Sequence, residues 1–172
     1  VSLKPLQQQG ILLEWTAWKI PANANPPGKP EGYGEEAKLF IGKLLEETGL
    51  IVKAPSKKFN TYLAHIGAKY AKTMGRFNEY HKRIFQAVWE RDEDIESVDV
   101  LATIATEVGL DAIEFKEALR NKDYIDMVET DFEDAYKNKI WTIPSYSADS
   151  GQIQVNHFED LPSLNELKGI LS

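Results

Sequence analysis

The sequence contains no cysteine. That excludes disulfides, thiolate metal sites and a cysteine nucleophile within these residues. It leaves the redox compartment open. There is no lysine–arginine cluster, and the net charge is −7. Nucleic acid and anionic membrane are therefore poor partners. No apolar run approaches the ~20 residues that a membrane helix needs. No signal-peptide pattern opens the chain, and the cytoplasm is the expected compartment. The first residue is Val1 rather than Met, so the natural N-terminus is expected upstream. Neither an internal repeat nor a low-complexity segment appears. What is present is ordinary for a globular protein: 42% hydrophobic and 10% aromatic residues in a chain of 172. That is enough for one good core, or for a small domain with an insertion.

Leu3 to Gln9 is helix-like, and Gly10 ends it. Ile11 to Ile20 opens apolar and is bounded by Gly and Pro, which predicts a strand. Pro21 to Gly34 holds four prolines and three glycines and reads as a surface loop. From Glu35 to Lys139 the pattern is helical throughout. Ala37, Phe40, Ile41, Leu44 and Leu45 share one face of the first helix, and Gly49 stops it. Leu63, Ile66, Gly67 and Tyr70 share a face between Asn60 and Met74. Arg76 to Arg91 carries Tyr80, Ile84, Phe85, Val88 and Trp89. Ser97 is a natural N-cap for a helix to Val108. Asp111 and Glu114 have capping-box spacing for Ala112 to Leu119. Tyr124 to Asn138 is the last of this series.

The chain then changes character. Trp141-Thr142-Ile143-Pro144-Ser145-Tyr146 precedes a turn at Asp149-Ser150-Gly151 and a second short run, Gln152 to His157. This reads as strand, turn, strand. Leu161, Leu164, Leu167, Ile170 and Leu171 give helical spacing to the end of the chain. Pro144 cannot donate to a ladder, so it belongs at an edge, a bulge or a strand's first residue. On its own it reads as an ordinary trans proline opening an edge strand. Strands at both ends of the sequence should meet in one sheet. The roughly one hundred helical residues between them are then an insertion. The expected division is 1–34 with 121–172 as one part and 35–120 as the helical insertion.

In this order the residues resemble the DsbA-like thioredoxin superfamily, especially its FrnE-like disulfide oxidoreductase branch. The resemblance is carried by Asn60-Thr61, Ala64-His65, Gly75 and Phe85. It continues through Asp94-Ile95, Val100-Leu101, Ile104-Ala105, Val108-Gly109-Leu110-Asp111 and Phe115, and closes with Ala135 and Ile143-Pro144. Leu13-Glu14-Trp15, Trp18, Ile20 and Pro21 look like the family's second strand and the segment after it. The implied fold is α/β, a thioredoxin-like sheet with a large all-helical insertion. The implied function is a thiol–disulfide oxidoreductase or isomerase scaffold. The resemblance also implies a cis peptide before Pro144. It further implies that Thr142, Ile143 and Pro144 form a substrate-binding wall, where the backbone before the proline pairs with an extended thiol substrate. Thr142-Ile143-Pro144-Ser145-Tyr146 stands where the family commonly has Gly-Val-Pro-Thr-Phe.

One departure is large. The family's first strand and its Cys-x-x-Cys would precede Leu3, and neither is in these residues. The strand after the proline and the strand at 11–20 should flank that first strand. Its loss would leave backbone groups unpaired, at about 1–3 kcal/mol for each buried one. The expected resolution is that the segment exists in the natural protein. The alternatives are a strand from another chain, or closure of the two flanking strands on each other. No catalytic residue is therefore assigned within the chain, and no cofactor or metal. The expected partner is a thiol or disulfide protein, or a glutathione-like substrate, at the Pro144 loop; a second copy of the chain is a further candidate.

The remaining chemistry-bearing residues read as structural. His65, His81 and His157 show no metal-ligand spacing. His65 is expected to be structural or partly exposed, and His157 a surface residue. Arg91-Asp92-Glu93-Asp94 lacks the glycine and terminal glutamate of a calcium loop and reads as an acidic turn. Trp15, Trp18 and Trp141 read as packing residues. Ser145 and Ser147 have no nucleophile-elbow context. Two other functions fit the same resemblance. One is a glutathione-using isomerase or kappa-type transferase. The other is a non-catalytic thioredoxin-fold module that binds a partner by strand addition.

Overall fold

The computed structural model describes residues 3–20 and 23–171. Val1 and Pro21, which entered the reading of the N-terminal region, lie outside them. The chain divides into two compact units, Val1–Glu47 with Phe132–Ser172, and Thr48–Asp131.

The second unit is helical. It holds α3 (Tyr62–Thr73), α4 (Phe77–Trp89), α5 (Val98–Glu107), α6 (Ala112–Ala118) and the first part of α7 (Lys122–Lys137). Their apolar faces meet in one core. Ile66, Tyr80, Ile95, Leu101, Ile104, Phe115 and Val128 are its largest fully buried side chains. Gly67 makes the closest approach possible. A Cβ there would lie 2.4 Å from the Tyr80 hydroxyl and 2.6 Å from the Phe115 ring. The helices end where the chain turns left-handed. Gly109 has φ +83°, and Leu110 N–H reaches back to the Ala105 carbonyl at 3.0 Å. Glycine takes that conformation without a Cβ penalty.

The caps follow the sequence in part. The Ser97 hydroxyl accepts from Val100 N–H, and the Asp111 carboxylate accepts from Ile113 and Glu114 N–H at 2.8 and 2.9 Å. The reciprocal half of the expected box at Asp111 is not made. Glu114 instead accepts from the Tyr70 hydroxyl at 3.1 Å. The acidic turn is organised around a cation of its own. The buried Arg83 guanidinium pairs with Glu93 at 2.9 Å and with Glu107.

The first unit holds α1 (Lys4–Gln8), α2 (Tyr33–Thr48) except its last residue, the end of α7, and the strands β1 (Ser145–Ala148) and β2 (Gly151–Gln154). A 3-10 turn at Phe158–Asp160 and α8 (Leu164–Gly169) complete it. Leu6, Ala17, Phe132, Ala135, Ile140, Val155 and Leu167 are buried. β1 and β2 are antiparallel, with Ser145 opposite Gln154 and Ala148 opposite Gly151.

Two expectations need correction here. Ile11 to Ile20 forms no strand: among the described residues the sheet consists of β1 and β2 alone. A strand exists through its partner's hydrogen bonds, and no neighbouring strand is present for this segment. Ala17 is buried, Trp18 Nε1 donates to the Ile140 carbonyl at 3.0 Å, and the Lys19 ammonium lies 4.4 Å from the Phe132 ring centre. The last helix starts at Leu164 and not at Leu161. Ser163 is extended, its hydroxyl caps Glu166 N–H, and Glu166 caps Ser163 in return. Pro162 stands just before that box, and Leu161 is likewise extended.

Candidate functional site

The site is the connection between α7 and β1. α7 ends with Asn138 Nδ2 donating to the Asp134 carbonyl at 2.8 Å and Ile140 N–H returning to the Ala135 carbonyl at 2.8 Å. Lys139 has φ +55°, a left-handed conformation uncommon for a non-glycine residue. The chain then runs through Trp141, Thr142, Ile143 and Pro144 without regular structure, and the Ile143–Pro144 peptide is cis.

Side chains hold much of this segment's backbone. Gln152 Nε2 donates to the Asn138 carbonyl at 3.4 Å. Gln154 Nε2 donates to the Lys139 carbonyl at 2.9 Å, while Gln154 Oε1 accepts from Trp141 N–H at 2.9 Å. Trp18 Nε1 takes the Ile140 carbonyl between them. Downstream, the Ser145 hydroxyl donates to the Thr142 carbonyl at 2.5 Å, and Val155 N–H to the Pro144 carbonyl at 3.0 Å.

Ile143 differs from its neighbours. Its side chain is 58% exposed. Among the described residues neither its N–H nor its C=O has a hydrogen-bond partner. Pro144 is exposed beside it, while Thr142 is half-buried with its hydroxyl oxygen covered and unpaired. The edge of β1 away from β2 also has no partner strand among the described residues. The three residues singled out from the sequence thus form a rim. Ile143 offers a free donor and acceptor, Pro144 a rigid apolar face, and Thr142 a covered hydroxyl. Tyr146, in β1, has its phenol pKa raised by burial.

Gln152, Gln154, Trp18 and Ser145 were not singled out as site residues. Only one signal pointed to the glutamines: they stand two apart in a strand and so share a face. The reach from Trp18 to Ile140 spans 122 positions and leaves no local trace.

The histidines serve other ends. His65 approaches the Thr61 hydroxyl at 3.2 Å, and burial lowers its pKa. His81 lies between the Phe77 and Phe85 rings, also with its pKa lowered by burial. His157 is not an ordinary surface residue. It is largely covered, packs edge-on to Tyr33 at 5.0 Å, and caps the 3-10 turn through Nδ1. Trp141 meets Tyr136 edge-on at 6.0 Å. Among the described residues no group of acidic or histidine side chains could hold a metal ion, and no helix is long and apolar enough to cross a membrane.

A short hairpin opened by a proline rim, with helices before and after it, defines a mixed α/β protein of thioredoxin type. The family model for the DSBA-like thioredoxin domain matches residues 4–167, and the chain belongs to that family. It is also similar to the uncharacterized protein YwbO of Bacillus subtilis (strain 168). The two are 27% identical over 147 residues, covering 82% of this chain and 74% of that protein.

Proposed function

We propose that these 172 residues form the scaffold and substrate-binding part of a DsbA-family thiol–disulfide oxidoreductase or isomerase, with the exchanging thiols lying outside them. The observation that carries the reading is the free backbone of Ile143 beside the open edge of β1. A donor and an acceptor free on one residue can pair with an extended chain as a neighbouring strand does. Pro144 keeps the rim from closing on itself, because it has no N–H to offer. In the exchange, a thiolate attacks one sulfur of the substrate disulfide, a mixed disulfide forms, and the second sulfur leaves as a thiolate. Thr142, Ile143 and Pro144 would hold the substrate strand during these steps. None of them exchanges protons or electrons. The substrate class is an extended peptide bearing a cysteine disulfide, or a glutathione-like thiol.

The absence of cysteine together with the open β1 edge favours a second reading, a non-catalytic module completed by a partner's strand. Thiol titration and intact mass of the protein purified from its natural source separate the two. Two titratable thiols on a mass larger than this chain's support the oxidoreductase. A thiol-free protein overturns it and leaves strand addition.

A further inference from the structure

We infer that Gln154, seconded by Trp18, is a positioning residue for the Thr142–Ile143–Pro144 rim, setting the Ile143 backbone in the form that an extended thiol peptide pairs with. The inference rests on the function proposed above. Residues 138–144 have no ladder of their own, and among them Ile140 is buried and Trp141 and Thr142 are half-buried. Gln154 bridges them at two points, the Lys139 carbonyl and the Trp141 N–H. One donor and one acceptor from a single side-chain amide thus do what a neighbouring strand would do. Trp18 fixes the carbonyl of Ile140 that lies between those points. The last fixed group, Trp141 N–H, stands one residue before Thr142. From there the chain is next held at the Thr142 carbonyl by Ser145 and at the Pro144 carbonyl by Val155. Ile143 is therefore a single free residue held between fixed points on both sides.

The spacing shows why a glutamine serves here. β2 ends at Gln154, opposite Ser145, and the backbone bond from Val155 to Pro144 continues that pairing by one step. Gln154 faces Ser145 in the non-hydrogen-bonded pair next to that bond, and its side chain serves the segment entering β1. A shorter amide would forgo one of the two side-chain bonds, and an apolar residue both.

The test uses the whole chain, with amide hydrogen exchange read by NMR without ligand. Affinity is read separately for a synthetic extended peptide carrying a cysteine capped as its S-methyl disulfide. In Gln154→Ala, exchange at Trp141, whose N–H the Gln154 side chain holds, should rise about tenfold, the loss expected for one net hydrogen bond. Amides of α5 and α7 should keep their rates, which shows that the fold is intact. Peptide affinity should fall about fivefold or more, a cost of similar size. Gln154→Glu keeps the acceptor for Trp141 N–H and should restore protection there with part of the affinity. Trp18→Phe removes one N–H alone and should give a smaller effect of the same kind. Unchanged exchange at Trp141 in Gln154→Ala overturns the inference, and so does a loosened rim that binds the peptide as the wild type does. A wild-type chain that leaves the peptide unbound overturns the proposed function, and the positioning role falls with it. That failure is distinguishable because the exchange rates are read with no peptide present.

Discussion

Single atoms decide several properties of this chain. Gly67 is required by space, not by backbone conformation. A methyl there meets the Tyr80 hydroxyl at 2.4 Å and the Phe115 ring at 2.6 Å, and both side chains are fully buried. Replacing glycine with alanine inside a helix gains up to about 1 kcal/mol, whereas overpacking costs about 1–3 kcal/mol. With contacts this short the overpacking dominates, and Gly67→Ala should destabilise by about 2 kcal/mol in urea unfolding. The Tyr80 hydroxyl is buried without a partner. Tyr80→Phe should therefore be neutral or stabilising by up to about 1 kcal/mol, since a desolvated hydroxyl is removed. It should also relieve part of the Gly67→Ala loss, which a double-mutant cycle reads directly. Protons act at the same scale. Burial holds the pKa values of His65 and His81 below their ordinary range. Between those lowered values and about 6.5 the unfolded chain binds more protons, so stability should fall as pH drops below about 6.5. The Arg83 hydrogen bond holds Glu107 below the usual carboxylate range. Its contribution is complete above about pH 4.3 and is lost as pH falls through the lowered value. Glu107 is partly exposed, so the loss is at most about 1 kcal/mol. Arg83→Met should flatten the acid limb of a stability–pH curve, and a limb of unchanged slope would contradict the pairing.

At the scale of elements, the helices and the hairpin were legible and the strand expected at 11–20 was not. The 3.6-residue periodicity of the apolar residues, with Gly75 and Gly109 as stops and Ser97 and Asp111 as caps, placed α3 to α7 within a residue or two of where they lie. These signals are local, and so they survive in the sequence. The fate of Ile11 to Ile20 was not legible, because a strand depends on a neighbour that the segment itself does not encode. Its apolar run and flanking Gly and Pro are those of a strand, yet it joins no ladder among the described residues, and the Trp18 indole ties it to Ile140. The start of α8 was readable from Ser163 and Glu166 but was masked by the apolar Leu161. At the site, Ile143 and Pro144 stood out by type and order. The clamp from Gln154 left only the spacing of Gln152 and Gln154 on one strand face, since an amide side chain does not show what it bonds. The caps give a direct test. Asp111 accepts from two N–H groups at the head of α6, and Asp111→Ala should cost about 1 kcal/mol of the helical unit's stability. A denaturation midpoint unchanged from the wild type would contradict that assignment.

For the whole molecule, the family match over residues 4–167 joins two units of different character. One is a helical bundle with a single aromatic and aliphatic core. The other is a two-stranded hairpin whose proline rim leaves one residue's backbone open. A net charge of −7 and the lack of basic clusters fit a protein ligand better than a polyanion. The Thr142–Ile143–Pro144 rim is proposed to receive an extended thiol or disulfide peptide. The most direct test is a titration of the isotope-labelled chain with such a peptide, followed by amide chemical shifts. The account predicts saturable shifts centred on Ile143, extending to Thr142 and Ser145, with the helical unit unmoved. Shifts centred elsewhere, or none at saturating peptide, would contradict it.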